Sequence, residues 1–186
     1  LAGPAMLYFM YRIYRIPARP FWNHWWVATS FYGNMLTLGA FTIGLVYATL
    51  LAAQGVSYAG LMTALSIPVV AGLVLEGIGL VFHARAMQRQ NSEGAASHYE
   101  QRTTFGKTYW LHNSLLAAGA LTVLGLALLD SSGWAGLAGW VVATLLAFGA
   151  AIIGRALFYV LVIPTTMPGA FFWRNRGFEE HARETG

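Results

Sequence analysis

The sequence lacks cysteine entirely and contains few charged residues. Without cysteine, the 186-residue chain has no disulfide, no thiolate metal site and no iron–sulfur cluster held by its own ligands. Asp, Glu, Lys and Arg make up 10% of the residues, against roughly 25% in soluble domains, whereas 57% are hydrophobic. This composition excludes a soluble globular domain and a disordered chain. It predicts an all-α integral membrane protein.

Long uncharged runs predict how many helices cross the membrane. No Asp, Glu, Lys or Arg occurs from residue 20 to residue 75, a run sufficient for two spans, since one span needs about 20 apolar residues. The sequence thus predicts a single membrane domain with four complete helices over about 27–53, 59–86, 109–129 and 136–163. The apolar segment over about 1–13 is too short to span, and we expect it to be the end of a preceding helix.

Basic residues lie on one side of the predicted bundle. Four spans place the N-terminal segment, the long middle connection and the tail over 164–186 on one side, called face A. The two short turns lie on the other side, called face B. Face A holds ten of the 11 Lys and Arg residues and face B none; the ten are Arg12, Arg15, Arg19, Arg85, Arg89, Arg102, Lys107, Arg174, Arg176 and Arg183. The positive-inside rule therefore predicts a cytoplasmic face A and C-terminus in the inner membrane of a prokaryote.

Face A also carries nearly all the polar mass of the chain, which indicates docking of a soluble protein there. The tail mixes aromatic residues with charges of both signs, a composition typical of a protein interface. A segment lying on the lipid surface is the alternative, and some of the arginines serve only to orient the helices. The candidate docking residues are Arg12, Arg15, Arg19, Phe172, Trp173, Arg174 and Arg176. We expect membrane lipids as partners of this chain, and no nucleic acid.

Two ionisable residues, Glu76 and Arg155, fall within the predicted spans. Charged groups are expensive in hydrocarbon and indicate functional sites by default. Both lie roughly 10–12 Å below face A at ~1.5 Å per residue, so they can pair. One interpretation is a buried ion pair that holds the bundle together. The other is a polar pocket that binds a headgroup or relays protons, which Tyr159, one helical turn from Arg155, can join.

The histidines are candidate haem ligands or members of the same polar pocket. A b-type haem needs two histidines at matching depth inside the bundle. All five are expected at or outside the face A boundary, which disfavours haem; they are His24, His83, His98, His112 and His181. His83 and His112 flank the middle connection and are candidates for quinone binding or proton relay. The sequence shows no catalytic triad, metal or phosphate-loop pattern.

Three segments resemble the membrane anchor subunit of DMSO reductase. Gly154-Arg155-Ala156-Leu157-Phe158-Tyr159 is similar to the G-R-x-x-F-Y signature of that family's final helix. Arg12-Ile13-Tyr14-Arg15, followed by Pro17, Pro20 and Trp25, is similar to the segment before its fifth helix. Glu76-Gly77 falls in a helix with comparable polar interruptions. The resemblance covers essentially the whole chain but only the C-terminal half of the family's eight-helix protein.

This resemblance implies an anchor for a molybdopterin catalytic subunit and an iron–sulfur electron-transfer subunit. The molybdenum cofactor and the clusters would belong to those partners, and this chain would bind no cofactor covalently or by metal ligation. The resemblance also implies quinone or quinol in the membrane part, without haem. Its quinone contacts carry over to Arg155 and Tyr159.

The basic face A and the long tail depart from the DMSO reductase anchor, whose partners face the periplasm. They fit better the similar anchors of cytoplasmic sulfite:quinone oxidoreductases (sulfite dehydrogenases). We therefore expect electrons from sulfite oxidation to pass to the quinone pool. Two alternatives stay open: a DMSO reductase anchor that takes electrons from menaquinol, and a membrane transporter or assembly protein. A transporter should show polar groups across the whole depth, whereas the face B halves of these helices are mostly apolar.

Overall fold

The computed structural model describes residues 2–89, 93–129 and 131–162, and every regular element in these ranges is an α-helix. In chain order the helices are α1 (Ala2–Tyr14), α2 (Trp26–Ala53), α3 (Ala59–Arg89), α4 (Glu93–Arg102), α5 (Gly106–Leu128) and α6 (Gly133–Val160). Four of them, α2, α3, α5 and α6, are long and apolar enough to cross a membrane. The prediction of an all-α protein with four spanning helices is confirmed. α1 contributes 13 residues to the described structure.

Contacts at the two ends of the bundle confirm its antiparallel arrangement. At one end, the Tyr58 hydroxyl donates to the Gly133 carbonyl at 2.5 Å, so the turns that precede α3 and α6 are neighbours. At the other end, the Trp22 indole donates to the Phe158 carbonyl at 2.8 Å, which joins the α1–α2 connection to the end of α6. These ends correspond to face B and face A, respectively.

The middle connection contains a helix, α4, that the polarity of this segment did not predict. α3 continues to Arg89, because Met87 near its end is buried in the structure (1% exposed). Gly94 of α4 packs against that end: a Cβ atom there would lie 2.8 Å from the Met87 sulfur and 3.2 Å from Pro20. Tertiary contacts of small residues therefore stabilise α4, whose sequence is too polar to indicate a buried helix.

Glycines bring α2 and α3 into close contact. A Cβ atom at Gly33 would lie 2.7 Å from the Gly72 carbonyl oxygen, and one at Gly79 would overlap the Thr29 hydroxyl. Small residues at such crossings let helix backbones approach in a membrane, where packing replaces the hydrophobic driving force. The Thr37 hydroxyl donates across the same seam to the Val69 carbonyl at 3.3 Å.

Buried side chains form two separate clusters along the bundle. The face A core consists of Phe21, Trp22, Trp26, Val27, Phe31, Met87, Leu157, Phe158 and Leu161. The face B core consists of Ala40, Phe41, Ala48, Tyr58, Met62, Val69, Leu73, Val123, Leu137, Trp140, Ala143 and Ala147. The ionisable residues of the spans belong to the half of the bundle that contains the face A core.

Candidate functional site

Arg155 lies against aromatic rings rather than against a carboxylate. Its guanidinium carbon is 4.2 Å from the ring centroid of Phe31 on α2 and 5.7 Å from that of Phe158. Within the described part of the chain, no carboxylate oxygen lies within ion-pair distance of Arg155. A cation placed over an aromatic face is attracted by the ring quadrupole, which compensates part of its lost hydration. The guanidinium donors are therefore available to a ligand.

Two tyrosine hydroxyls lie beside Arg155. The hydroxyls of Tyr14, at the end of α1, and Tyr159, on α6, are 2.9 Å apart and share a hydrogen bond. Arg155 is close enough to act electrostatically on both. Tyr159 is 52% exposed on the outer surface of the bundle, where the membrane lies. Together, the guanidinium and the two phenols form a half-exposed group of hydrogen-bond donors, called the α1–α6 site.

Glu76 contacts His112 and not Arg155. Both side chains are almost fully buried (4% and 2% exposed), and Glu76 Oε1 is 3.8 Å from His112 Nε2. This distance is too long for a hydrogen bond, and His112 Nε2 has no other partner among the described residues. The sequence analysis allowed an ion pair between Glu76 and Arg155. In the structure Glu76 on α3 instead pairs with His112 on α5.

Gly154 makes room for this pair. A Cβ atom at this position would lie 2.8 Å from His112 Nε2, so any larger residue would displace the imidazole ring. Because Gly154 precedes Arg155 in the chain, the buried pair lies next to the α1–α6 site. Glu76 is also close enough to act electrostatically on Arg155.

The expectation that all histidines lie at or outside the face A boundary is wrong for His112. This residue is six positions inside α5, about 9 Å along the helix from Gly106. The predicted span over about 109–129 already contained His112, and the contact with Glu76 confirms that its side chain lies within the bundle. His83 lies elsewhere: its Nε2 is 2.9 Å from the Phe21 carbonyl oxygen, and its ring stacks on Trp26 with centroids 4.4 Å apart.

The other described histidines line face A. The backbone N–H of Trp26 donates to His24 Nδ1 at 3.0 Å, at the start of α2. Burial lowers the pKa of His24, and the positive charge of Arg15 lowers it further. His98 Nδ1 is 3.1 Å from Gln101 Oε1 within α4. Burial lowers the pKa of His98 too, while its hydrogen bond with Gln101 raises that pKa and Arg102 lowers it.

Of the proposed docking residues, the structure describes Arg12 in the last turn of α1 and two arginines, Arg15 and Arg19, between α1 and α2. Arg15 donates to the Tyr11 hydroxyl at 3.0 Å, and the Arg19 guanidinium carbon lies 4.7 Å from the Trp22 ring centroid. Arg12 and Arg15 are exposed. The remaining candidates, Phe172, Trp173, Arg174 and Arg176, and also His181, lie outside the described residues.

Metal ligation finds no support in the described ranges. Residues 2–89, 93–129 and 131–162 contain no group of three or more His, Asp or Glu side chains that could hold a metal ion.

Three members of the site were not singled out from the sequence: Tyr14, Phe31 and Gly154. Tyr14 and Gly154 occur in the two segments that carried the family resemblance, so their positions were visible but their roles were not. Phe31 is one apolar residue in a long apolar run, and only its contact with Arg155 distinguishes it.

The family model of the DMSO reductase anchor subunit (DmsC) matches residues 2–161, which include all six helices. The chain belongs to this family. No curated protein and no solved structure matches the sequence. As a DMSO reductase-type anchor, the protein is a multi-pass membrane subunit that associates with catalytic and electron-transfer subunits.

Proposed function

We propose that this anchor binds quinone at the α1–α6 site and passes to it electrons from a cytoplasmic molybdenum and iron–sulfur oxidoreductase that oxidises sulfite. The observation that carries the quinone site is Arg155, a membrane-embedded guanidinium that lies over Phe31 without a carboxylate partner. Intramembrane ionisable residues that lack a structural partner indicate a functional site.

The chemistry of the α1–α6 site fits a quinone headgroup. The two carbonyl oxygens of a quinone accept hydrogen bonds. Arg155 offers N–H donors, and one phenol O–H remains free, since the other is used in the bond between Tyr14 and Tyr159. The quinone ring is flat and apolar, which suits the neighbouring aromatic side chains. The exposed Tyr159 opens the site to the lipid, from which a quinone with a long tail would enter. His83, bound to the Phe21 carbonyl, would then hold the α1–α2 connection in place instead of contacting quinone.

The orientation of the chain supports a cytoplasmic catalytic subunit. The turns at face B, over 54–58 and 129–133, contain no Lys or Arg, whereas face A contains ten. Each basic residue gains ~1 kcal/mol near an anionic cytoplasmic leaflet, which opposes the inverted topology. Sulfite oxidation to sulfate releases two electrons, which the iron–sulfur subunit would carry to the quinone site. Arg12 at the end of α1 and Arg15 and Arg19 after it, together with residues 171–186 of the tail, would dock that subunit.

Family membership favours a second candidate: an anchor of a DMSO reductase that takes electrons from menaquinol. The same site would serve, with the electrons moving in the opposite direction. Family membership also argues against the transporter and assembly alternatives. A reporter protein fused after Gly186 distinguishes the sulfite-oxidising function from the DMSO reductase function. Fluorescence of a protein that matures only in the cytoplasm supports the sulfite function, and alkaline phosphatase activity, which requires the periplasm, supports the DMSO reductase function.

The quinone site is tested by Arg155→Leu in the intact complex. We expect the KM for quinone to rise roughly 10- to 100-fold, since a hydrogen bond to a charged group contributes ~1.5–3 kcal/mol. Activity with an artificial electron acceptor, measured in the same membranes, should stay unchanged. Arg89→Leu is the matched control, because it removes an exposed face A arginine at the end of α3. A normal quinone KM in the Arg155 variant would refute the site.

A further inference from the structure

A buried pair of polar residues near the α1–α6 site, Glu76 and His112, includes an atom without a hydrogen-bond partner among the described residues. Unpaired polar atoms are rare in protein interiors, because their lost hydration is not repaid. His112 Nε2 is such an atom, and the carboxylate of Glu76 is the nearest charged group. A salt bridge that only held helices together would be expected at hydrogen-bond distance. At 3.8 Å the two groups lie within ion-pair distance but share no hydrogen bond.

A cleft between α3 and α5 leads from face A towards this pair. Its volume is about 370 Å³, and polar side chains line its face A end: Arg85, Gln88, Tyr109 and Asn113. Its inner end includes Gly77, which follows Glu76 in the chain, and Asn113 follows His112. Neither Glu76 nor His112 lines the cleft, but residues one helical turn from each of them, Leu80 and Leu116, do, so the cleft lies beside the buried pair.

The groups that surround Glu76 limit what else could exchange protons there. His112 faces the carboxylate from α5, and Arg155 acts on it from α6. From α2, the neighbour is Gly33, whose position lies 3.3 Å from the Glu76 Cβ when a Cβ is built on it. Arginine does not release its proton in proteins, so the proton is held by Glu76 or His112.

We propose that Glu76 and His112 form the proton-exchange pair of the quinone site, supplied with protons from face A through the cleft between α3 and α5. This inference rests on the proposed function. A proton held by the pair leaves to form an O–H bond on a quinone oxygen, and a proton from water in the cleft replaces it. Two such transfers, with two electrons from the iron–sulfur subunit, convert one quinone into one quinol.

Glu76→Gln and His112→Gln test the pair in the intact membrane complex. We expect kcat with quinone to fall roughly 100-fold or more, the range for loss of a general acid or base, with little change in the KM for quinone. The pH dependence of kcat should change in both variants. His98→Gln, which removes a buried histidine outside the spans, should leave that dependence unchanged.

Gly154→Ala tests the geometry without removing a titratable group, and it remains informative if the other variants fail to assemble. Its Cβ atom would push on His112 Nε2, whereas Gly149→Ala on the same helix would make only an ordinary contact, 3.5 Å from Leu115. We expect the alanine at 154, but not at 149, to lower kcat with quinone and to change its pH dependence.

An infrared difference spectrum of quinone reduction provides a readout besides turnover. We expect a carboxyl band in the unmodified complex that is absent in Glu76→Gln and shifted in His112→Gln. If that band and the pH dependence survive both substitutions while Arg155→Leu still raises the quinone KM, the proton pair is refuted and the quinone site stands. If Arg155→Leu has no effect on the KM, the proposed function itself fails.

Discussion

The two cores of the bundle are built from different side chains. The face B core is mostly aliphatic, with four alanines and three aromatic residues among its twelve, and the hydrogen bond of Tyr58 to the Gly133 carbonyl closes its outer end. The face A core is mostly aromatic, and next to it lie the cation of Arg155 and the buried pair of Glu76 and His112. Polar groups are expensive in a membrane and persist where they serve a purpose. We therefore expect the face B half to pack the helices and the face A half to carry the proposed quinone chemistry.

The largest effect is expected in the face B core, from Trp140→Ala. The indole is 1% exposed, and removing a buried Trp side chain costs about 3–5 kcal/mol because a cavity remains. The thermal midpoint of the complex should fall strongly, whereas the KM for quinone should not change. Trp140→Phe, which retains most of the side-chain volume, is the control, and its thermal midpoint should fall much less. A changed quinone KM in Trp140→Ala would contradict the division between the two cores.

Glycine substitutions on the seam of α2 and α3 should have the next largest effect. At Gly79 a methyl group would overlap the Thr29 side chain, and such overpacking costs about 1–3 kcal/mol. At Gly44, in the face B half, the new methyl group would meet the Met62 sulfur at 3.0 Å, and this flexible side chain can move. We therefore expect Gly79→Ala to lower the thermal midpoint more than Gly44→Ala. If the thermal midpoint falls equally in both variants, close packing at Gly79 is no more important for stability than packing at Gly44.

Two conservative substitutions remove one hydrogen bond from each end of the bundle. Trp22→Phe leaves the buried Phe158 carbonyl without its donor, at a cost of about 1–3 kcal/mol. Tyr58→Phe removes the bond to Gly133 at the part-buried face B turn and should cost about 0.5–1.5 kcal/mol. Because Phe158 precedes Tyr159, only Trp22→Phe should also raise the quinone KM. An equal rise in the quinone KM of Tyr58→Phe would contradict this prediction.

The smallest effect concerns pH and is confined to face A. Because the pKa of His24 is lowered in the fold, the folded state binds fewer protons than the unfolded state. Stability is therefore complete above the free-histidine pKa of about 6.5 and is lost progressively as the pH falls below it. Protonation would also remove the acceptor of the Trp26 N–H bond. The thermal midpoint should fall between about pH 7 and pH 5, and less steeply in His24→Gln. If the thermal midpoint depends on pH equally steeply in His24→Gln, His24 does not contribute to the pH dependence of stability.

Hydropathy and charge were sufficient to predict the spanning helices and their common ends. Each depends on local composition: a long uncharged run forms a helix in the membrane whatever its neighbours are, because only internal hydrogen bonds satisfy its backbone. Arg155 and Glu76 could also be recognised as candidates, since a charge inside an apolar run is visible in the sequence. The segment Gly154-Arg155 was visible in the same way, through its similarity to a family signature.

The partners of these residues could not be predicted, because contacts between helices depend on how each helix is rotated and shifted against the next. Equal depth made Glu76 and Arg155 plausible partners, yet the rotation of α3 turns Glu76 towards His112, and Phe31 occupies the place beside Arg155. α4 was missed for the same reason: its small residues pack against Pro20, which is distant in sequence, and against Met87 at the end of α3. The sequence alone was sufficient to predict four membrane-spanning helices in this chain, with ten of its 11 Lys and Arg residues beyond their ends on one face. The tertiary structure decided which polar groups meet inside it, because a displacement of one helical position exchanges one neighbour for another.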